Sequence, residues 1–421
     1  MILDKTMKNG VRVVAEPMPG MRSVAIGVWV DTGSVRERGG EAGASHFIEH
    51  MLFKGTERRS AEEIACEMDA IGGNLNAFTS KECTCFYARV LDEHLPVAVE
   101  LLSDIVLHSR FDPEELEKEK GVVIEEILMT QDSPEDLVAE TANELFFGDD
   151  PLAHPILGTQ QSVRGFTRDS LLGYMDEHYV PKNMVIACAG HFEEERLLSL
   201  LEAHFQPEPS ERSAGPLEQA YAGGRRFRCV EKDVEQAHIT LMLPGFARDT
   251  AGQFPLSVLS NALGGSMSSR LFQTIRERLG LAYSVYSYPL SYTKTGSFAL
   301  YAGTGEKQAV EVTKRMLEEI ANLREHGLRE EEFVRCREQL KGSWILGMES
   351  SSAHMNTLGK LALLQKRVYN EQDTLRRIEA VTQEDIQAIL SICLDTRHLS
   401  AAFVGRMDDG ARSALEKLCK G

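Results

Sequence analysis

The sequence has fewer positive than negative charges, and this argues against two classes of partner. Its 421 residues include 46 Lys and Arg against 64 Asp and Glu, which gives a formal net charge of −18. Proteins that bind nucleic acids or anionic membranes without specificity present a basic surface. We therefore expect no nucleic acid and no membrane among the partners, and an acidic surface that solubilises the chain or admits neutral and basic ligands.

Long apolar runs and clustered cysteines are also missing. No stretch is long enough to span a bilayer, and the opening residues MILDKTMKNGVRVVAEP lack the apolar core of a secretory signal. The 8 cysteines are scattered, and only Cys83 and Cys85 lie close together. In a strand, these two side chains would point to opposite faces. We expect reduced thiols and a cytoplasmic protein.

The length and composition fit a chain of two or more domains. Hydrophobic residues make up 43% and charged residues 26%, as in globular proteins with a sizeable core. Residues 206–224 are rich in Pro, Gly and Ser, which is typical of a linker. We predict a first domain at 1–210, a linker at 211–224 and a second domain at 225–421.

Local patterns in the first half predict a series of strands and helices. Ser60 and Asp112 each begin a segment with the residues of a helix N-cap. The predicted elements are a hairpin turn at Asn9-Gly10, a strand at 23–32, a helix at 44–53, a helix from Ser60 to Ile71, a single strand from Asn76 to Val90, a helix at 91–109, a helix from Asp112 to Gln131 and a strand at 184–189.

The second half repeats this order of elements. The matching segments are a strand at 237–244, helices at 254–263 and 268–279, a strand at 297–302 and a helix at 330–347. The predicted fold is therefore α+β, with two similar tandem domains, each a mainly antiparallel sheet covered by helices. In this alignment Cys336 takes the place of Glu119 and Ser343 that of Glu126, so only the first domain has candidate metal ligands.

The strongest chemical signal is the motif H-x-x-E-H formed by His46, Glu49 and His50. Residues four apart share one face of a helix, so the two imidazoles can converge on one point. Neutral imidazoles are zinc ligands, and a neighbouring carboxylate suits a general base. Chance alone would place one such motif in about a few per cent of chains of this kind, so a third ligand is needed.

The helix that begins at Asp112 offers candidates for the third ligand. Glu119 and Glu126 share a helical stripe with Val122 and Val123, which predicts that this face points inward. A buried carboxylate needs a partner, and a metal ion is one. The alternative is that both glutamates are solvated on a charged helix. Glu125 is rotated about 100° from Glu126 and receives no role.

Together these motifs resemble the pitrilysin-type metallopeptidases, also called inverzincins and family M16. Glu126 follows His50 by 76 residues, and the segments HFIEHMLFKGT and Asn76-Ala77-Phe78-Thr79 also match the family pattern. The resemblance is strongest to bacterial relatives of the mitochondrial processing peptidase and covers nearly the whole chain. In the second half, SSRLFQTIRERLGLAYSVYSY is similar to the segment that carries a functional Arg and Tyr, here Arg276 and Tyr283.

The resemblance implies a role for each residue of the first half. It implies that His46, His50 and Glu126 bind one Zn²⁺ per chain, with a fourth position open for water. Glu49 would move the proton of that water, and Glu119 would be a catalytic-site carboxylate that orients His50 or its neighbours.

Further residues receive substrate-binding roles from the same resemblance. Arg276 and Tyr283 would donate hydrogen bonds to substrate carbonyls and to the developing oxyanion. Asn76, Ala77 and Phe78 would form a sheet edge to which an extended peptide adds. In a chain of this length, the second-half pair would come from another protomer, which implies a homodimer with active sites shared between chains.

The expected function is zinc-dependent endopeptidase action on peptides or unfolded segments enclosed in a clamshell chamber. The alternative is a non-catalytic assembly or binding subunit of the same fold, although such subunits typically lose the metal ligands. A third possibility is an active enzyme that needs a different, non-identical partner chain.

Overall fold

The computed structural model describes residues 2–215, 217 and 224–420. Half of the predicted linker, residues 216 and 218–223, lies outside the described residues. The chain forms two compact units: unit 1 contains Met1–Ile127, His154–Leu217 and Leu346–Tyr369, and unit 2 contains Leu128–Ala153, Glu218–Ile345 and Asn370–Gly421.

The strands fall into one sheet per unit. Among the described residues they are β1 (Leu3–Thr6), β2 (Arg12–Pro17), β3 (Ser23–Val30), β4 (Asn74–Thr79), β5 (Thr84–Leu91), β6 (Met184–Gly190), β7 (Arg226–Glu231), β8 (Gln236–Pro244), β9 (Ala282–Ser291), β10 (Gly296–Gly305) and β11 (Ser400–Gly405).

The helices surround these sheets. They are α1 (Ala44–Leu52), α2 (Ala61–Ala70), α3 (Leu95–Leu107), α4 (Pro113–Asp132), α5 (Pro134–Phe147), α6 (Gln160–Gly165), α7 (Arg168–His178), α8 (Glu194–His204), α9 (Gln253–Leu263), α10 (Ala309–His326), α11 (Glu330–Gly347), α12 (Ser351–Leu364), α13 (Glu371–Glu379), α14 (Gln383–Cys393) and α15 (Asp409–Lys420). None of the described helices combines the length and hydropathy needed to cross a bilayer.

The two sheets share one plan. Unit 1 has the order β1-β2-β6-β3-β5-β4, and unit 2 has the order β7-β11-β8-β10-β9. Each sheet is antiparallel except for one pair, β2 with β6 and β7 with β11. In both units the last strand in sequence is inserted beside the central strand. The predicted α+β class with two similar sheet-and-helix units is confirmed.

Each unit contains one helix whose residues come from the other half of the sequence. Helix α12 packs on β6, β3 and β2 of unit 1, and helix α5 packs on β11, β8 and β7 of unit 2. The boundaries predicted from the sequence, 1–210 and 225–421, are continuous and so do not include this exchange. Hydrophobic periodicity predicts helices but carries no information about which sheet a helix covers.

One predicted strand is wrong in its extent. Residues 76–90 form two strands, β4 and β5, joined by a turn at residues 80–83. The side chain of Ser80 accepts from the backbone N–H of Cys83 (3.1 Å), which closes the turn. Cys83 therefore lies outside the strand that contains Cys85, and both are buried cysteines that form no disulfide. The run of β-branched and aromatic residues obscured the turn because Ser80 and Lys81 are weak turn signals.

The close approach of α12 to β3 generates a stability prediction. A Cβ added at Gly359 would lie 2.1 Å from Nε1 of Trp29, whereas one added at Gly342 of α11 meets nothing within 4 Å. We expect Gly359→Ala to lower the free energy of unfolding by about 1–3 kcal/mol, because Trp29 must shift in a packed interior. Gly342→Ala, the control, should be neutral or slightly stabilising. Chemical denaturation measures both, and equal behaviour would contradict the packing argument.

Candidate metal centre

Helix α1 turns one side to the core and the other to the candidate site. Phe47, Ile48, Met51 and Leu52 are fully buried in the hydrophobic core of unit 1. His46, Glu49 and His50 lie on the remaining side and are only partly buried. The imidazole centroids of His46 and His50 are 4.6 Å apart. Burial of the apolar side therefore fixes the rotation of the helix and holds both imidazoles at one place.

Helix α4 brings a carboxylate to the same place. Oε2 of Glu126 lies 3.6 Å from Nε2 of His46 and 3.5 Å from Nε2 of His50. Ligand atoms bonded to one zinc ion at about 2.0–2.2 Å in tetrahedral geometry are about 3.3–3.5 Å apart. Among the described residues, these three form the one group of His, Cys, Asp and Glu side chains that could hold a metal ion. Both the donor types and their spacing fit zinc.

His46 has the protonation state that a metal ligand needs. Burial, and then the nearby His50, lower the pKa of His46 to about 4. The imidazole is therefore neutral near pH 7 and has a lone pair to offer. Its Nδ1 is buried and has no hydrogen-bond partner among the described residues.

His50 is oriented by a buried carboxylate, Glu119. Nδ1 of His50 lies 2.8 Å from Oε1 of Glu119, and Nζ of Lys54 donates to Oε2 of Glu119 at 2.7 Å. An ionised carboxylate only accepts, so the proton sits on Nδ1 and the lone pair on Nε2, the atom near Glu126. Burial opposes ionisation of Glu119, but the bonds from His50 and Lys54 outweigh it and lower the pKa of Glu119.

Sequence reasoning missed Lys54. It follows His50 by four residues in the segment HFIEHMLFKGT and lies just beyond the end of α1 at Leu52. That spacing was the available signal. Without Lys54, Glu119 would be a carboxylate 3% exposed with a single polar partner among those described.

Glu49 is held by a second residue that sequence reasoning did not assign. Oγ1 of Thr79, the last residue of β4, donates to Oε2 of Glu49 at 2.5 Å. Burial raises the pKa of Glu49, and the Thr79 bond partly opposes this effect. Glu49 is thus a fixed carboxylate whose proton affinity is increased, beside the three candidate ligands but not among them.

Asn76, Ala77 and Phe78 lie in β4, the edge strand of the unit 1 sheet. The N–H of Ala77 donates to Oδ1 of Asn76 at 2.8 Å, so a side chain occupies this backbone donor. The ring of Phe78 packs edge-on against Trp29, with centroids 5.5 Å apart. These residues therefore precede Thr79, which bonds Glu49, on a strand that pairs on one side only among the described residues.

Arg276 and Tyr283 come together in unit 2. Arg276 lies in a π-helix, Phe272–Arg278, a rare form that is frequent at functional sites. Its guanidinium carbon is 4.7 Å from the ring centroid of Phe272 and 4.6 Å from that of Tyr283. Tyr283 is 74% exposed. The pair is thus stacked and accessible, while His46, His50, Glu126, Glu49 and Glu119 all belong to unit 1.

The inward stripe predicted on α4 is wrong at one residue. Val123 is fully buried, but Val122 is 45% exposed. At about 100° per residue, the buried side centres near Val123 and Ile127, and Glu126 lies at its margin. This explains why the Glu126 side chain is 37% exposed and can face the candidate site.

Both halves of the sequence match models of one peptidase family. Residues 12–160 match the model described as Insulinase (Peptidase family M16), and residues 165–340 match the model described as Peptidase M16 inactive domain. The chain belongs to peptidase family M16. Two relatives are named as uncharacterized zinc proteases. One, from Streptomyces coelicolor, is 39% identical over 417 residues, covering 97% of this chain and 91% of that protein. The other, from Bacillus subtilis, is 42% identical over 389 residues, covering 92% and 95%.

Solved structures share the fold of this M16 chain. A protease from Helicobacter pylori aligns with a TM-score of 0.91 at 21% identity, covering 96% of this chain and 99% of that one. A peptidase M16 inactive domain from Pseudomonas fluorescens aligns with a TM-score of 0.90 at 19% identity, covering 97% and 98%.

The contact between Glu119 and His50 makes a prediction for the metal-free M16 chain. Burial lowers the pKa of His50, but the bond to Glu119 and the surrounding carboxylates outweigh it, so the pKa is raised. We expect Glu119→Gln to lower the pKa of His50 by about one unit or more, because a charged partner is lost. NMR titration of the imidazole protons measures the change.

Glu125→Gln is the matched control on the same helix. Glu125 is exposed and is adjacent in sequence to Glu126. The pKa of His50 should stay within a few tenths of a unit in this variant, since a distant solvated charge is screened. A similar shift in both variants would show that general electrostatics, not the Glu119 contact, sets the pKa of His50.

Proposed function

We propose that the chain is a zinc-dependent endopeptidase that hydrolyses peptides or unfolded segments. The observation that carries the proposal is the convergence of His46, His50 and Glu126 beside Glu49, a separate carboxylate held by Thr79. Relatives named as zinc proteases support it. A structural subunit would have no need for a neutral buried imidazole beside a fixed base.

The chain's own residues divide the catalytic work. His46, His50 and Glu126 would hold one zinc ion per chain, which when bound supplies Lewis-acid activation of water and of the scissile carbonyl. Glu119 keeps the proton of His50 on Nδ1, so that Nε2 stays available. Glu49 would take a proton from the attacking water and return it to the leaving amine, a role suited to a carboxylate whose pKa burial raises.

Strand β4 offers a way to hold the substrate backbone. A peptide that adds to this edge would place a carbonyl oxygen on the N–H of Ala77, in exchange for Oδ1 of Asn76. Main-chain hydrogen bonds of this kind depend little on sequence, and they suit extended or unfolded substrates. The continuation of the strand at Thr79 supports the proposal that a peptide bound there lies beside Glu49.

We further propose a cytoplasmic homodimer in which each active site uses two chains. Arg276 and Tyr283 of one protomer would donate to the substrate carbonyl and the oxyanion at the zinc site of its partner. Their exposure and mutual stacking support a role in contacting another molecule. The free cysteines support the cytoplasmic location.

The first test removes the proposed base. Glu49→Gln should reduce kcat for a fluorogenic peptide by about 10²–10⁴-fold, because the proton acceptor is lost while the ligands remain. Zinc content, measured by atomic absorption, should stay at one per chain. Undiminished hydrolysis in this variant would refute the mechanism. Zinc below about half an equivalent in the wild-type chain would favour the non-catalytic subunit.

The second test concerns the shared sites. Glu49→Gln and Arg276→Ala chains should each be nearly inactive, and mixing them should restore activity towards about one quarter of the wild-type value. In an equal mixture about half of the dimers contain both variants, and one of the two sites in each such dimer combines an intact Glu49 with an intact Arg276. Mixed Glu49→Gln and Glu119→Gln chains are the control, since both changes affect the same half-site. No recovery in the first mixture would show that each chain is self-contained or needs a different partner.

A further inference from the structure

Helix α1 cannot cap its own N-terminus. The residue at the N-cap position is Gly43, with φ of 89°, and it supplies no side-chain hydrogen bond. A Cβ at this position would lie 2.6 Å from the carbonyl oxygen of Leu157, so larger residues are excluded. The first N–H groups of a helix have no partner within the helix and need an acceptor from elsewhere.

The carboxylate of Glu37 supplies that acceptor. Oε2 accepts from the N–H of Gly43 at 2.7 Å, and Oε1 accepts from the N–H of Ser45 at 2.9 Å. Glu37 is 5% exposed. A negative charge at this end also interacts favourably with the helix dipole. Both oxygens are thus bound to the turn that leads directly into His46.

Retaining a charged group at this position is costly for the fold. Burial raises the pKa of Glu37 to about 7, although the bonds from Gly43 and Ser45 oppose the effect. None of the described cationic side chains is bonded to Glu37, and the neighbouring carboxylate of Glu41 adds repulsion. Stability alone would favour an uncharged residue in such surroundings, so the carboxylate calls for another explanation.

The two histidines of the site differ in how they are held. His50 is oriented by its bond to Glu119, whereas Nδ1 of His46 has no partner among the described residues. Metal-binding histidines normally rely on such a partner for their orientation. The position of His46 therefore depends on the backbone of the first turn of α1.

We infer that Glu37 is a positioning residue for the metal centre, fixing the first turn of α1 and through it the imidazole of His46. The inference rests on the proposed zinc function and extends it to a residue that contacts neither the ligand atoms nor the substrate. Glu37 acts for His46 as Glu119 acts for His50, but through the main chain.

The test is the zinc affinity of Glu37→Gln, measured by competition with a chromophoric chelator. The amide would turn its NH₂ group towards one of the two backbone donors and lose that bond. We expect zinc affinity to fall at least about tenfold, as for loss of other groups that support metal ligands. Hydrogen exchange at the first-turn amides of α1 should accelerate, while the melting temperature changes by a few degrees at most.

Two control variants separate positioning from general loosening. Tyr174→Phe removes a buried hydroxyl that is 2.9 Å from Ser45 Oγ and 2.7 Å from Thr32 Oγ1, but leaves the Glu37 bonds in place. Glu41→Gln removes the neighbouring charge. Both should retain zinc affinity within about twofold. If Glu37→Gln does not fold, Glu37→Asp keeps the charge and withdraws the carboxylate, and it should show the same loss.

The possible outcomes distinguish this inference from the proposed function. Unchanged zinc affinity in Glu37→Gln, or an equal loss in Tyr174→Phe, overturns the positioning role whatever the peptidase activity. A wild-type chain that binds zinc but cleaves no peptide overturns the proposed function. The positioning role of Glu37 is then still decided by the zinc affinity of Glu37→Gln, because that measurement needs no substrate.

Discussion

The candidate metal centre depends on the bond between Glu119 and His50, since it joins helix α4 to helix α1. Glu126 lies on the same helix, about two turns after Glu119. The contact that orients the His50 imidazole therefore also fixes where Glu126 lies along α1. The bond is worth more than its distance suggests, because both groups are largely withdrawn from water and Lys54 compensates the charge.

The sequence was a reliable guide wherever a pattern expresses a local rule. His46, Glu49 and His50 fall on one side of a helix because four residues make about one turn, and the helix ends follow from caps such as Ser60, which bonds Glu63 N–H as predicted. The similarity of the two units follows from the matching order of strands and helices in the two halves of the sequence. Glu119 was found because it shares a helical stripe with Glu126.

The remainder could not be predicted because it depends on contacts between distant segments. Thr79 meets Glu49 only after β4 and α1 are packed, and nothing in either segment specifies the partner. The exchange of α5 and α12 between the units is likewise a question of which surface a helix covers. Val122, which was expected to face inward, is exposed for a related reason. A helical stripe gives the angles between side chains but not which direction around the helix faces the core.

Buried carboxylates in this fold show what the candidate site requires. In unit 2, Glu332 is 2% exposed and is paired with Arg270 at 2.7 Å, and its pKa is lowered despite burial. In unit 1, Glu119 has the same outcome through His50 and Lys54. Glu37 is bonded by the backbone N–H groups of Gly43 and Ser45 and by the Ser45 side chain, all uncharged, and burial raises its pKa instead. Uncharged hydrogen-bond donors therefore compensate a buried carboxylate less well than a cationic side chain does, and the cap of the metal-site helix retains its charge at a cost.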